Sequence, residues 1–321
     1  MPWIVGIDEA GYGPNLGPLV MTAVSCQVPN ELIDADLWHV LRDGVRRQRE
    51  VDNGQIIVDD SKQVYSTAKG LAQLEATALV CSGRGEWPLP FPLHHLMEMM
   101  SLEGSAELTR EPWYHGNSIL PCTCVGERLA VLSARFAATC RQVGVHWNPV
   151  RSVIVCPTQF NTITMRHDSK GAVLAHGLTR LMQTYCQPDG TTEPIAVFVD
   201  KHGGRNNYAA MLHQAISDGM VVVQEESALK STYHVLGLSR PVQVTFQPRA
   251  DAAHLCVALA SIVSKYLREV LMAEFNMFWK QHLPDLKPTA GYPVDAVRFW
   301  NAIHPVAERL GISKASLWRE R

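Results

Sequence analysis

Four acidic residues stand beside apolar segments, where their carboxylates could share one crevice. Asp8 and Glu9 follow the first apolar run of the chain, and Asp200 follows a later one. Asp251 comes directly before a long helical pattern. Because strand ends of an open α/β sheet face its functional crevice, we expect these acids to converge there. Converging carboxylates repel one another unless a hard divalent cation lies between them, and such oxygen ligands suit Mg²⁺ or Mn²⁺. A cluster of this kind supports two-metal cleavage of a phosphodiester.

Each acid also has an ordinary structural explanation. An aspartate at a strand end is most often a turn former, and Asp251 alone is most often a helix N-cap. The glycines that follow Glu9 are harder to explain in this way. A solvated turn accounts for acids, but it does not require Gly11, Gly13 and Gly17 in quick succession. Both interpretations of the acids stay open at this point.

The elements that would position these acids alternate between strands and helices. Apolar and β-branched runs predict strands at 3–7, 19–28, 55–58, 151–156, 195–199, 221–223 and 242–246. Helical periodicity and capping residues predict helices at 67–79 with Ser66 as its cap, and at 126–143, 161–185, 207–217 and 251–283. The alternation predicts an α/β fold in which a mixed central β-sheet is flanked by helices.

The composition is that of a soluble globular protein, with 46% hydrophobic and 19% charged residues among 321. No apolar run approaches the roughly 20 residues that span a bilayer, and no secretory leader is visible. We therefore expect a cytoplasmic protein without membrane contact. The net charge of −2 argues against a protein that coats nucleic acid without specificity, because such proteins are usually basic.

The eight cysteines are expected to be reduced and mostly buried. Cys122 and Cys124 form the only tight pair in the sequence. No second Cys or His pair stands at zinc-finger spacing, which argues against a structural zinc site. Whether the pair binds a metal stays open.

The chain resembles a known family at five places in order. Its opening, G-I-D-E-A-G-Y-G-P-N-L-G-P, is similar to the opening motif of type 2 ribonucleases H (ribonuclease HII), D-E-A-G-R-G followed by G-P. D-S-K at 60–62 and the strand-borne Asp200 match two further motifs. Asp251, with A-L-A-S-I-V-S-K and R-E within 258–269, resembles the family's Asp, A-A-A-S-I-x-A-K and R-D. G-Y-P at 291–293 is the fifth match.

The resemblance implies a ribonuclease H-like fold and a metal-dependent endonuclease that hydrolyses the RNA phosphodiester. Its substrate would be an RNA–DNA hybrid or duplex DNA that contains ribonucleotides. The catalytic residues and metal ligands would be Asp8, Glu9, Asp200 and Asp251, with Mg²⁺ or Mn²⁺ as cofactor. No protein partner is evident, and we expect a monomer.

The resemblance also implies a set of substrate-binding residues, which are Gly11, Tyr12, Gly13, Ser61, Lys62 and Tyr292. The backbone of the glycine-rich loop would touch ribose 2′-hydroxyls, which distinguish RNA from DNA, and it can approach a sugar closely where no Cβ intervenes. Lys62 would contact a phosphate, and Tyr292 would stack on the sugar at the RNA–DNA junction. The ordinary alternatives are a surface lysine and a half-buried core tyrosine.

We predict a single ribonuclease H-like domain over 1–321. Relative to the family, 83–149 would be one insertion and 225–248 a second, and 252–321 would form a C-terminal helical part of the same domain. The run 202–208 also departs from the family's short turn after the third acid. Its glycines and Arg205 would form either a phosphate-facing loop or an ordinary polar loop.

Tyr12 stands where the family has Arg. Tyrosine cannot supply the forked, charged donors of a guanidinium, so a preference for single embedded ribonucleotides over long hybrids does not follow. Two alternatives stay open: a nucleic-acid-binding protein of the same fold without turnover, and a nuclease that acts on another structure such as a DNA branch or flap. Four retained acids that repel one another favour turnover.

Overall fold

The computed structural model describes residues 1–65, 70–83, 89–104, 108–186 and 192–320. Its strands are β1 (Trp3–Ala10), β2 (Leu19–Gln27), β3 (Val45–Arg46), β4 (Ile56–Ile57), β5 (Phe91–Pro92), β6 (Ile119–Leu120), β7 (His146–Trp147), β8 (Arg151–Val155), β9 (Ile195–Asp200), β10 (Met220–Glu226), β11 (Ser231–Leu236) and β12 (Val242–Gln247). Its α-helices are α1 (Leu37–Val40), α2 (Ser61–Val64), α3 (Ala72–Gly83), α4 (Leu93–Met100), α5 (Gly126–Val143), α6 (Pro157–His167), α7 (Gly171–Cys186), α8 (Ala209–Ala215), α9 (Ala250–Ala253), α10 (Leu255–His282), α11 (Pro293–Arg309) and α12 (Lys314–Leu317).

Eight strands form the central sheet within these ranges. Their order is β10-β11-β12-β9-β1-β2-β7, and β8 pairs with β2 beside β7. Strand β9 runs parallel to both of its neighbours, β1 and β12, whereas the other pairs are antiparallel. This arrangement confirms the predicted mixed sheet.

Helices cover both faces of the sheet, and each face has its own apolar core. On one face α10 packs against β1 and β2 with Ile4 in its core, while Val5 and Ile7 point into the core beneath α7 and α8. The approach of α10 is very close, because a Cβ at Gly6 would lie 2.2 Å from the backbone of Cys256. The small residues of this helix and the missing side chain at Gly6 therefore serve packing.

Two predicted helices are broken at single residues. The predicted helix at 161–185 is wrong as one element, because Asp168 adopts a left-handed conformation with φ of 46° and ends α6. The chain restarts as α7 at Gly171. The long C-terminal helix also differs: His254 is extended, with φ of −128° and ψ of 118°, and separates the short α9 from α10. Asp251 consequently lies inside α9 and is not the N-cap of the long helix.

The expected second insertion, 225–248, lies in the central sheet. It supplies β11, which we did not predict, and β12, which is the direct neighbour of β9. Most side chains of β10 are exposed, and its last three residues are polar, so the apolar run that predicted a strand at 221–223 was shorter than the strand itself. That this segment and 83–149 are insertions relative to the family remains a prediction. Ser66, the predicted cap, lies outside the described residues.

Two buried carboxylates attach the segment around the Cys-Thr-Cys motif to the core. Glu75 of α3 accepts hydrogen bonds from the backbone N–H groups of Cys122, Thr123 and Cys124 at 2.6–2.8 Å, and from the Tyr266 hydroxyl at 3.0 Å. Glu274 of α10 likewise accepts from two residues earlier in the same segment, Gly116 and Ser118. The motif therefore has a structural role, because its backbone satisfies a buried charge. All eight cysteines are described, and all are free thiols.

Among the described residues, no helix is both long enough and apolar enough to cross a membrane.

Candidate active site

Strands β1 and β9 bring two of the predicted acids to one edge of the sheet. Ile7 pairs with Val199 in the parallel register, and Asp8 and Asp200 are the next residues on each strand. Neighbouring strands lie about 4.8 Å apart, and side chains after a matched pair project to the same face. Both carboxylates therefore point towards the α10 side. Glu9 is the next residue on β1, so its side chain starts from the opposite face of the strand.

Asp251 reaches the same edge through the short helix α9. The backbone N–H of Ala250 donates to Asp200 Oδ1 at 2.9 Å, which fixes the start of α9 to the end of β9. His254 then stacks on Phe198 of β9, with ring centroids 3.8 Å apart. The break at His254 thus has a physical cause: the ring packs on the sheet, and α9 stays beside Asp200 before α10 begins at Leu255.

The four acids influence one another's ionisation. Burial and the adjacent Glu9 raise the pKa of Asp8 well above its usual value. Burial and Asp200 raise the pKa of Glu9 to about 7. The pKa of Asp200 is raised by burial, and that of Asp251 is raised by burial, Asp60 and Asp200. Carboxylates that disfavour each other's ionisation in this way are a donor set suited to a divalent cation.

The D-S-K segment lies on the α10 side of this edge. Ser61 Oγ and Ser261 Oγ are 3.1 Å apart, which connects the start of α2 to α10. The exposed ammonium of Lys62 lowers the pKa of Glu9 as well as those of Asp200 and Asp251, so it faces the acidic group as a whole. Ser61 itself is held by α10, and a contact of Ser61 with substrate remains a prediction.

The shared metal centre also remains a prediction. In the part of the chain that the structure describes, no three His, Cys, Asp or Glu side chains lie close enough together to hold a metal ion. Three of the acids instead accept a neighbouring backbone N–H, with Asp8 accepting from Glu9 at 2.8 Å, Asp200 from Ala250 at 2.9 Å and Asp251 from Ala252 at 2.9 Å. The backbone brings the acids to one edge, but their oxygens do not converge on one point.

Gly11 and Gly13, in the loop after Glu9, have different surroundings. Gly11 has φ of +91°, and a Cβ there would lie 2.7 Å from Arg268 Cδ, so the fold itself requires glycine. Gly13 is exposed, and a Cβ there would meet nothing within 4 Å. Gly13 therefore offers open space for the predicted close approach of a sugar, and contact of Gly11 with a sugar remains a prediction.

Two buried arginines hold this loop from behind. Arg268 of α10 donates from Nη2 to the carbonyls of Leu16 at 3.2 Å and Ala290 at 2.9 Å. Arg319 donates from Nη1 to the carbonyl of Gly11 at 2.6 Å, and its backbone N–H donates to Asn15 O at 2.7 Å. Arg268 thus has a structural role, and the end of the chain positions the predicted ribose-sensing loop.

Tyr292 lies beside the same loop. Its side chain is 53% exposed, so it is not a core residue. The carbonyl of Gly291 accepts from Asn15 N at 2.7 Å and from Leu16 N at 3.2 Å. The two loops are therefore joined directly by hydrogen bonds.

Several residues near the acids were not predicted as site residues. Asp60 acts electrostatically on Asp251, and its place in the D-S-K motif was the available signal. Ser261 donates a hydrogen bond that lowers the pKa of Asp8. Arg319 lies 308 residues from the carbonyl that it holds, and nothing in its local sequence indicates this contact.

A cavity of about 610 Å³ lies apart from this edge, between the segment after residue 107, α6 and the loop before α12. Its lining includes Glu111, Thr158 and Ser316 but none of the predicted acids. The candidate site is an open edge of the sheet, which suits a large substrate better than an enclosed small molecule.

A family of known proteins matches the part of the chain that carries two of these acids. The family model for Ribonuclease HII matches residues 197–302, a segment that includes Asp200, Asp251 and Tyr292. The match supports a divergent member of the ribonuclease HII type. It also supports a hydrolase of the ribonuclease H type. Asp8, Glu9 and the glycine-rich loop lie outside the matched segment.

Solved structures of ribonucleases H are similar to the chain at low identity. Ribonuclease H2 from Pyrococcus horikoshii OT3 is 17% identical, with 98% of this chain and 92% of that chain covered and a TM-score of 0.47. Ribonuclease HII from Archaeoglobus fulgidus, solved in a complex with PCNA, is 14% identical, with 99% and 94% covered and a TM-score of 0.43. Bst-RNase HIII in complex with Mn²⁺ is 15% identical, with 99% and 65% covered and a TM-score of 0.46. No curated protein sequence matches. The mixed sheet flanked by helices is seen in the strand order itself.

Proposed function

We propose that this ribonuclease HII-type protein is a metal-dependent endonuclease that hydrolyses the RNA phosphodiester in RNA–DNA hybrids or at ribonucleotides embedded in duplex DNA. The observation that carries the proposal is the gathering of Asp8, Glu9, Asp200 and Asp251 at one open edge of the sheet, each with a raised pKa. Such mutual destabilisation of negative charge is relieved by a bound divalent cation.

The four acids would hold Mg²⁺ or Mn²⁺. When bound, such ions supply an activated water and stabilise the leaving oxygen of the phosphodiester. The protein itself keeps the acids together by backbone contacts: Ala250 N–H fixes Asp200, and Ser264 Oγ donates to the backbone carbonyl of Asp8 at 3.1 Å. Lys62 offsets part of the negative charge at the exposed rim and would contact a phosphate of the substrate.

Recognition of RNA would come from the loops beside the acids. Exposed backbone at Gly13 can approach a ribose without steric hindrance, and the exposed ring of Tyr292 can stack on a sugar. The hydrogen bonds between Gly291 and the glycine-rich loop hold these two surfaces side by side. A 2′-hydroxyl held there would be presented at a fixed distance from the acids, which is the positioning that hydrolysis requires.

The test compares cleavage of three duplexes of equal sequence in Mg²⁺: one with a single ribonucleotide, a full RNA–DNA hybrid and plain DNA. The proposal predicts cleavage of one or both of the first two and none of the third. Binding of the RNA-containing duplexes without cleavage would indicate a protein without turnover. Cleavage restricted to branched or flapped DNA would indicate a nuclease of different specificity.

A further inference from the structure

The ring of Tyr12 lies beneath a cation. Lys170 Nζ is 4.5 Å from the ring centroid, a cation–π distance, and Lys170 is the residue immediately before α7. The ring is half-buried and packs against the core on the α7 face of the sheet. Tyr12 therefore faces the α7 side of the sheet. Asp8 and Lys62 lie on the opposite side, with α10.

Arg205 approaches the same point from the loop after β9. A Cβ at Gly171, the first residue of α7, would lie 3.6 Å from Arg205 Nη2. The guanidinium is thus next to the residue that follows Lys170. Burial and Glu9 raise the pKa of the Tyr12 hydroxyl, whereas Arg205 lowers it. Two cations and a phenol form one cluster at the edge of the acidic group.

The loop that carries Arg205 is rigidly built. Lys201 Nζ donates to Asn206 Oδ1 at 2.8 Å and to the carbonyl of Ser227. The ring of Tyr208 stacks on Phe246 at 3.7 Å, and its hydroxyl donates to the carbonyl of Arg205 at 3.0 Å. The backbone of Arg205 is therefore fixed on β12 while its side chain is exposed. This favours the phosphate-facing interpretation of the loop over a merely polar one.

We propose that Tyr12, Lys170 and Arg205 form a phosphate-binding subsite for the backbone of the duplex. The inference rests on the proposed function. It names Lys170 and Arg205 as the cations that contact a substrate phosphate, because Tyr12 stands where the family's motif has Arg. An arginine at position 12 would stand against Lys170, whereas a tyrosine ring attracts it. In this chain the positive charge that the family's motif has at position 12 is supplied by Lys170, before α7, and by Arg205, after β9.

The position of the subsite follows from chain geometry. Tyr12 is three residues from Glu9, so the two lie within about 10 Å. Phosphates of one strand rise about 3.4 Å each along a duplex axis, so the bound phosphate lies within about three nucleotides of the scissile bond. Lysine acts there as a point charge, and arginine adds a two-pronged hydrogen-bonding geometry.

The test measures binding of a labelled RNA–DNA hybrid by fluorescence anisotropy, with Ca²⁺ in place of Mg²⁺, from about 50 to about 200 mM salt. The variants are Lys170→Met and Arg205→Gln. Each should weaken binding several-fold at the lowest salt and reduce the slope of log affinity against log salt by up to about 0.9, which corresponds to one phosphate contact. The controls are Lys280→Met and Arg309→Gln, exposed positions outside the site. Lys280 is 19 residues beyond Ser261 on α10, about 28 Å along the helix.

A rescue variant distinguishes relocated charge from general damage. In the Lys170→Met/Arg205→Gln background, Tyr12→Arg should recover up to about 0.9 of the lost slope. Slopes of the single variants equal to those of the controls, or no recovery on adding Tyr12→Arg, would overturn the subsite. If one of these results is obtained and the wild type cleaves the hybrid in Mg²⁺, only the subsite is overturned and the proposed function stands. If the wild type neither binds nor cleaves RNA-containing duplexes, the proposed function fails as well.

Discussion

At the scale of single residues, the chemistry lies in charges that the fold holds together against their repulsion. Asp8 and Glu9 are adjacent in sequence, and Asp200 stands beside them across a parallel strand pair. Their residue types and their places at strand ends left a structural explanation open, and it was the resemblance to a family that selected these four acids as a site. The raised pKa values are a tertiary effect, because burial and neighbouring carboxylates cause them. The orientation of each carboxylate could not be predicted, since it depends on backbone N–H groups such as that of Ala250.

The glycine-rich loop allows a test with a matched pair of variants. Gly13→Ala should leave the melting temperature unchanged, because the added methyl meets nothing and the backbone is not left-handed. It should lower cleavage at a single ribonucleotide about 10-fold by keeping the backbone away from the 2′-hydroxyl. Gly11→Ala should instead lower the free energy of unfolding by about 1–3 kcal/mol, because φ is +91° and Arg268 is too close.

Thermal melts and single-turnover cleavage separate these two effects. If Gly13→Ala cleaved at the wild-type rate, the backbone at position 13 would not approach the sugar. The resemblance to a family motif gave Gly11 and Gly13 the same explanation. The structure assigns Gly11 to packing and leaves Gly13 exposed, a difference that only the conformation and the neighbouring side chains reveal.

At the scale of elements, parallel pairing and helix breaks decide where the acids lie. Strands β1, β9 and the helices on either face were predictable from apolar runs and periodicity. Strand β11 was not, because its residues were attributed to an insertion. The breaks at Asp168 and His254 interrupt patterns that remain helical in sequence. Both breaks matter for the proposed function, since one places Lys170 beside Tyr12 and the other keeps Asp251 beside Asp200.

The C-terminal segment provides an element-scale prediction. Arg319 is 2% exposed, and its guanidinium holds the carbonyl of Gly11 from behind the loop. Arg319→Lys cannot reproduce a forked donor, so we expect KM for a ribonucleotide-containing duplex to rise about 10-fold as the loop loses its position. The affinity for Mn²⁺ should not change, because the acids are held by β1, β9 and α9.

Steady-state kinetics and calorimetric Mn²⁺ titration check this prediction, with the exposed Arg309→Lys as control. Arg319 would be a positioning residue for the loop if KM alone rises. A parallel loss of Mn²⁺ affinity and melting temperature would show that Arg319 serves the whole fold. An unchanged KM would show that the loop does not need it.

At the scale of the whole molecule, the two sides of the sheet contribute different parts of one open site. The α10 side supplies Asp8, Ser261 and Lys62, and the α7 side supplies Tyr12 and Arg205. Asp8 and Lys62 lie in sequence motifs and were predicted as site residues, whereas Ser261 lies in a motif but was not. Tyr12 lies in the opening motif, and a phosphate-facing loop with Arg205 was one of the two interpretations of 202–208. Lys170 belongs to no motif, and only the folded chain brings it to Tyr12.

The central claim is that the gathered acids form one hydrolytic centre. The most direct measurement is the rate of Mg²⁺-dependent cleavage of a single-ribonucleotide duplex by the wild type, Asp8→Asn and Asp251→Asn, with the exposed Asp285→Asn as control. We predict that both site variants keep the wild-type fold and lose at least about 100-fold in rate, about 2.7 kcal/mol in the barrier, while the control cleaves normally. Cleavage by Asp8→Asn or Asp251→Asn at the rate of the control would contradict this claim.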